Sequence, residues 1–139
     1  MELEAFDRGE VQEVTPFWEF STFSLLSSLL SAVTSFLDVA VDIRSTSPTF
    51  LQWHGEILSA ANRKSLLIPE GYAHGFQALT EDCELIYLHT SAYHPDAEGA
   101  LNVTDPALSI DWPLPVIDLS KRDQNHPFVT NVNFKGITL

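Results

Sequence analysis

At 139 residues, with 45% hydrophobic and 19% charged side chains, the chain is long enough to bury one core and too apolar to be disordered. Its net charge of −12 argues against general nucleic-acid binding and against attraction to an anionic membrane surface. The lone Cys83 excludes an internal disulfide and suits a reducing, cytoplasmic compartment.

The first thirteen residues set Glu2, Glu4, Asp7, Glu10 and Glu13 against one Arg8, the opposite of a secretory leader's positive start. Phe17 to Leu37 is apolar, with Glu19 its only charge. Its many Ser and Thr residues and the lack of close Lys or Arg flanks read against a membrane span. Within it, Leu25, Leu26, Leu29, Leu30 and Val33 recur at helical spacing and predict an amino-terminal helix in residues 17–35. A strand pair broken at Ser27-Ser28 would use the same residues. At Phe36 the period changes to two: Leu37, Val39, Val41 and Ile43 share one face and Asp38 and Asp42 the other, which predicts a half-buried strand over 36–43. Turn formers from Arg44 to Pro48 end it.

Further short strands are expected at Trp53–Leu58, Ser65–Ile68, Phe76–Leu79 and Glu84–His89. Pro69-Glu70-Gly71 stops the second of these, and Thr80-Glu81-Asp82 separates the last two. Turn signals about every ten residues suggest a sandwich or barrel. From Asn102 the chain is loop-rich and is expected to wrap the sheet and deliver residues to a pocket. No His-x-His pair, Gly-x-Ser-x-Gly elbow or Gly-rich phosphate loop is present, which argues against a cupin metal site, serine hydrolysis and a P-loop. Arg63-Lys64 and Lys121-Arg122 are the two candidate anion-binding clusters, or else solvated surface charge.

The most specific stretch is Ile68-Pro-Glu-Gly-Tyr-Ala-His74-Gly-Phe-Gln-Ala-Leu79, where one histidine lies between small residues that allow close approach of a ligand or backbone. A lone histidine in a strand is otherwise a satisfied core residue. Together with Tyr87, Tyr93-His-Pro-Asp-Ala-Glu98 and Leu119-Ser-Lys-Arg-Asp123, this stretch resembles the dTDP-4-dehydrorhamnose 3,5-epimerase family over about residues 36–128. The resemblance implies an all-β, cupin-type jelly-roll β-sandwich or barrel, built from residues 36–139 behind a divergent segment 1–35. It implies a homodimer acting on a dTDP-linked 4-keto-6-deoxy sugar, with no cofactor, metal, nucleic acid or membrane.

Such chemistry needs a base to take the C–H proton beside the ketone and an acid on the opposite face to return one. By resemblance Tyr87 is that acid, and Asp123 orients the catalytic histidine. His74, Tyr93, Glu98 and Arg122 line the substrate site. The family carries its base histidine, an arginine and a lysine upstream of the Asp-Val-Ala-Val-Asp-Ile-Arg strand. Residues 11–36 contain no His, Lys or Arg, and all five histidines lie at or after His54. That segment therefore reads as a replacement, and Asp123 is left without an assigned imidazole. The alternative reading is a relative that binds a nucleotide sugar without turning it over.

Overall fold

The computed structural model describes residues 4–6, 34–81, 83–86, 88 and 98–139. The expected amino-terminal helix lies outside them. Among the described residues, five strands form one antiparallel sheet: β1 (Glu4–Phe6), β2 (Ser35–Asp42), β3 (Trp53–Ser59), β4 (Tyr72–Ala78) and β5 (Glu98–Ala100), in the order β3-β2-β4-β1-β5. One short helix, α1 (Lys121–Gln124), lies in the loop-rich tail.

Register fixes which residues share a face, because directly opposed residues point the same way. Val41 pairs with Trp53 and Ala73, and Leu37 with Ile57 and Gln77. On this side Leu37, Val39, Val41 and Ala73 join Ile43, Leu101, Val103, Leu108 and Val129 in the core. Val39 and Val41 are fully buried, and each such side chain contributes about 1.5–3 kcal/mol. The tail covers this face through a few directed bonds. Gln77 Nε2 donates to the Leu114 carbonyl (3.0 Å), and Gln77 Oε1 accepts from the Leu114 amide (3.1 Å). Trp53 Nε1 donates to the Ser109 carbonyl (3.2 Å). The carboxyl terminus is pinned by Ile137 N donating to the Ile43 carbonyl (2.7 Å) and Ser45 N to the Ile137 carbonyl (2.8 Å). The predicted wrapping of the tail over the sheet is thus observed.

Four strand expectations change. The strand at 36–43 is not half-buried: Asp38 and Asp42, expected on a solvated side, are 5% and 1% exposed, and Ala40 is buried between them. Alternation identified two faces but could not say that both are covered. Ser65–Ile68 forms no strand, because Leu67 is 74% exposed and Ile68 is constrained by the following proline. β4 begins at Tyr72 rather than Phe76, so His74 lies inside a strand. Residues 84–86 and 88 are in no strand, and Ile86 and Leu88 are exposed.

Candidate active site

The second face of the sheet carries the polar residues. A row crosses all five strands through paired positions: His54 on β3, Ala40 on β2, His74 on β4, Glu4 on β1 and Ala100 on β5. Asp38, two residues from Ala40 on β2, is the diagonal neighbour of His74, a spacing that long side chains can bridge. Ala40 leaves the room for this bridge, and His74 Nε2 lies 2.5 Å from Asp38 Oδ1. The imidazole is 21% exposed and the carboxylate 7%. Phe76 flanks the pair, 6.3 Å from the His74 ring and edge-on to Phe36 at 6.4 Å.

A second polar cluster closes one end of this face. Asp42 Oδ1 accepts from the Arg44 amide (3.0 Å) and Arg44 Nε (2.9 Å), and Oδ2 accepts from Arg44 Nη2 (2.7 Å), Ser47 Oγ (2.5 Å) and Thr49 Oγ1 (2.6 Å). Arg44 Nη2 also donates to Tyr72 Oη (2.8 Å), with the guanidinium 4.8 Å above that ring. The Arg44 guanidinium outweighs the burial penalty and, with the two hydroxyls, holds the Asp42 carboxyl well below the usual carboxylate range. Asp42 in turn raises the Arg44 pKa. This cluster ties the end of β2 and the turn after it to β4, two residues from His74.

Asp123 sits in α1. Ser120 caps that helix, its Oγ accepting from the Asp123 amide at 3.1 Å. The Asp123 side chain is 5% exposed, and its Oδ1 lies 4.0 Å from Nε2 of His126. Both atoms are buried without a hydrogen-bond partner among the described residues. Arg122 is exposed on the same turn. No hydrogen bond joins Asp123 to His74 among the described residues, so the structure contains two separate His–carboxylate pairs. Tyr87, Tyr93 and the side chain of Glu98 lie outside the described residues; the backbone of Glu98 opens β5.

Sequence reasoning missed the carboxylate partner of His74, because no local pattern announces that β2 pairs with β4. It also missed His126, which left Asp123 without an imidazole. That signal was available, since His126 follows Asp123 by only three residues and one turn of chain sets the two side by side. Of the two cationic clusters, Arg63-Lys64 is partly committed elsewhere: Lys64 Nζ bonds Glu56 Oε1 at 2.6 Å and lowers the pKa of that carboxyl.

An all-β, cupin-type jelly roll in which buried carboxylates face half-buried histidines is the class to which these features belong. A sequence profile described as dTDP-4-dehydrorhamnose 3,5-epimerase matches residues 29–131. The chain belongs to the dTDP-4-dehydrorhamnose 3,5-epimerase family. The Salmonella typhimurium enzyme of that name is 48% identical over 99 residues, covering 70% of this chain and 54% of its own. Among solved structures, the Mycobacterium tuberculosis RmlC epimerase superposes with a TM-score of 0.69 at 39% identity, over 73% of this chain and 52% of that one. The Legionella pneumophila RmlC, solved in complex with dTDP-4-keto-L-rhamnose, gives 0.65 at 37% identity, over 78% and 58%. The chain spans about half the length of the curated relatives it matches.

Proposed function

We propose that this chain is a sugar-nucleotide epimerase that binds a dTDP-linked 4-keto-6-deoxy sugar and inverts carbon beside the ketone, without a cofactor. The observation that carries the reading is the family match across residues 29–131, together with the His74–Asp38 pair on the polar face of the sheet. A base takes the proton next to the carbonyl, the enolate forms, and an acid on the other face returns a proton. In this reading Tyr87 is the acid and Asp123 orients the base. His74, held by Asp38, meets the sugar nucleotide with Arg122, Tyr93 and Glu98. A homodimer and a cytoplasmic setting complete the proposal. Support for the dimer comes from β3, which lies at a sheet edge with Ile57 47% exposed.

A second reading has its own observation. Residues 11–36 carry no His, Lys or Arg, the residue types the family keeps there. A chain lacking a base would bind the nucleotide sugar and leave it unchanged. Incubation with dTDP-4-keto-L-rhamnose in D₂O separates the two. Deuterium entering at C3 or C5 supports the epimerase, whereas dTDP binding without exchange supports the binding protein. Tyr87→Phe should keep the exchange and suppress inversion; undiminished inversion refutes the acid role.

A further inference from the structure

Resting on the epimerase reading above, we infer that His126 is the general base of this chain, with Asp123 as the carboxylate that holds it. The unsatisfied atoms carry the inference. Asp123 Oδ1 and His126 Nε2 are buried and unbonded among the described residues, yet face one another at 4.0 Å, roughly 1 Å beyond hydrogen-bond reach. Buried polar atoms are almost always paired, and unpaired ones in native proteins concentrate where chemistry needs them. A small rotation of either side chain closes the pair.

The ring has the two ends a base requires. Its Nε2 edge is buried against Asp123, while 21% of the side chain remains exposed, so the exposed portion lies away from the carboxylate. One nitrogen is thereby held and the opposite one is left to receive a proton. The backbone on both sides is fixed. Ser120 holds the Asp123 amide, the His126 carbonyl accepts from Asn102 Nδ2 at 2.7 Å, and Pro127 restricts His126 to extended conformations. Asn125 and Gln124 cap the neighbouring carbonyls of Lys121 and Leu119. Asn102 follows β5, whose Ala100 lies in the same cross-strand row as His74, so the loop bearing His126 is anchored next to the strand that ends that row. A His–Asp pair built within four consecutive residues needs nothing from the segment before residue 36.

In the proposed step, the proton on C3 or C5 moves to the ring nitrogen facing away from Asp123. The C–H electron pair becomes the C=C bond of the enolate, and the carbonyl π pair moves onto the ketone oxygen. Protonation from the opposite face restores the ketone with inverted carbon. The imidazolium, stabilised by Asp123, then releases its proton to solvent, and the acid is reprotonated from solvent.

The test measures solvent-deuterium uptake into dTDP-4-keto-L-rhamnose by wild type and His126→Gln, with dTDP affinity as the control for an intact site. Loss of exchange by about 100-fold, with dTDP affinity within about threefold, is expected for a removed base. Exchange within about threefold of wild type overturns the role of His126 and leaves the epimerase standing. No exchange by wild type overturns both. Should His126→Gln misfold, wild type alone decides: the pH midpoint of exchange must coincide with the NMR titration of His126. A separation of more than about one unit overturns the assignment.

Discussion

Replacing Asp42 with asparagine tests the claim that the polar face is held by a charged cluster rather than by packing alone. Asparagine keeps the shape, and its carbonyl can still accept from the Arg44 amide and Nε at the Oδ1 position. At the Oδ2 position an NH₂ would confront Arg44 Nη2, donor against donor, where a 2.7 Å ion pair now stands. Ser47 and Thr49 can rotate their hydroxyls to accept, so those two bonds survive in reversed sense. One charge-assisted bond is therefore lost. The partly exposed Arg44 recovers some hydration, so the expected cost is about 2 kcal/mol, near the lower end for bonds to charged groups.

For a domain of this size that amounts to a fall in Tm of roughly 8 °C. Urea unfolding at pH 7, 5 and 3 gives the second half of the test. The folded-state pKa of Asp42 lies below its unfolded value, so its contribution is complete above about pH 4 and is lost as pH falls toward the folded pKa. Asparagine cannot titrate, and the gap between variant and wild type should narrow below pH 4. A variant within about 0.5 kcal/mol of wild type at pH 7, or a gap unchanged down to pH 3, would refute the reasoning.

Gly136 has φ of +82°, and a Cβ there would lie 2.5 Å from the Ile43 carbonyl that also accepts from Ile137. Backbone cannot swing aside, so Gly136→Ala should cost about 3 kcal/mol in chemical denaturation; a cost under about 1 would show that the terminus is not pinned there. Gly71→Ala, at φ +86°, would instead strike Arg44 Cγ at 2.5 Å and displace the Asp42 clamp. Its cost should shrink in the Asp42→Asn background, and strict additivity would deny the coupling. For ligand binding, Arg122→Gln should weaken dTDP affinity about tenfold by calorimetry while Lys64→Gln changes it less than about twofold. Equal effects would remove α1 from the site.

Much of the fold was legible because β2 announces itself. Leu37, Val39 and Val41 alternate cleanly and occupy the core face as expected. Alternation carries one bit per residue, however, and cannot report what covers the second face. Asp38 and Asp42 were read as solvated because acidic residues usually are, and the ladder that sets His74 beside Asp38 comes from residues 36 positions away. Ser65–Ile68 failed for the converse reason: its composition suits a strand, but a strand also needs neighbours and a covered side, and Leu67 has solvent. The Asp123–His126 pair was local and readable. The family resemblance points to an upstream histidine for Asp123, and a motif taken whole draws the eye away from an imidazole three residues on.

Charge connects these points. In the proposed reading, a chain of net −12 must collect positive charge locally to hold a nucleoside diphosphate, and it has seven Lys and Arg residues to do so. Arg44 is bound to Asp42 on a face where it serves the sheet, and Lys64 is bound to Glu56. Lys121 and Arg122 stand on α1, next in sequence to the buried Asp123. Their turn also carries the Asp123 carboxylate and, three residues on, the His126 imidazole. In the proposed reading, a diphosphate drawn to α1 would bring its sugar within a short reach of that pair, so binding and proton transfer would depend on one short, well-capped piece of chain.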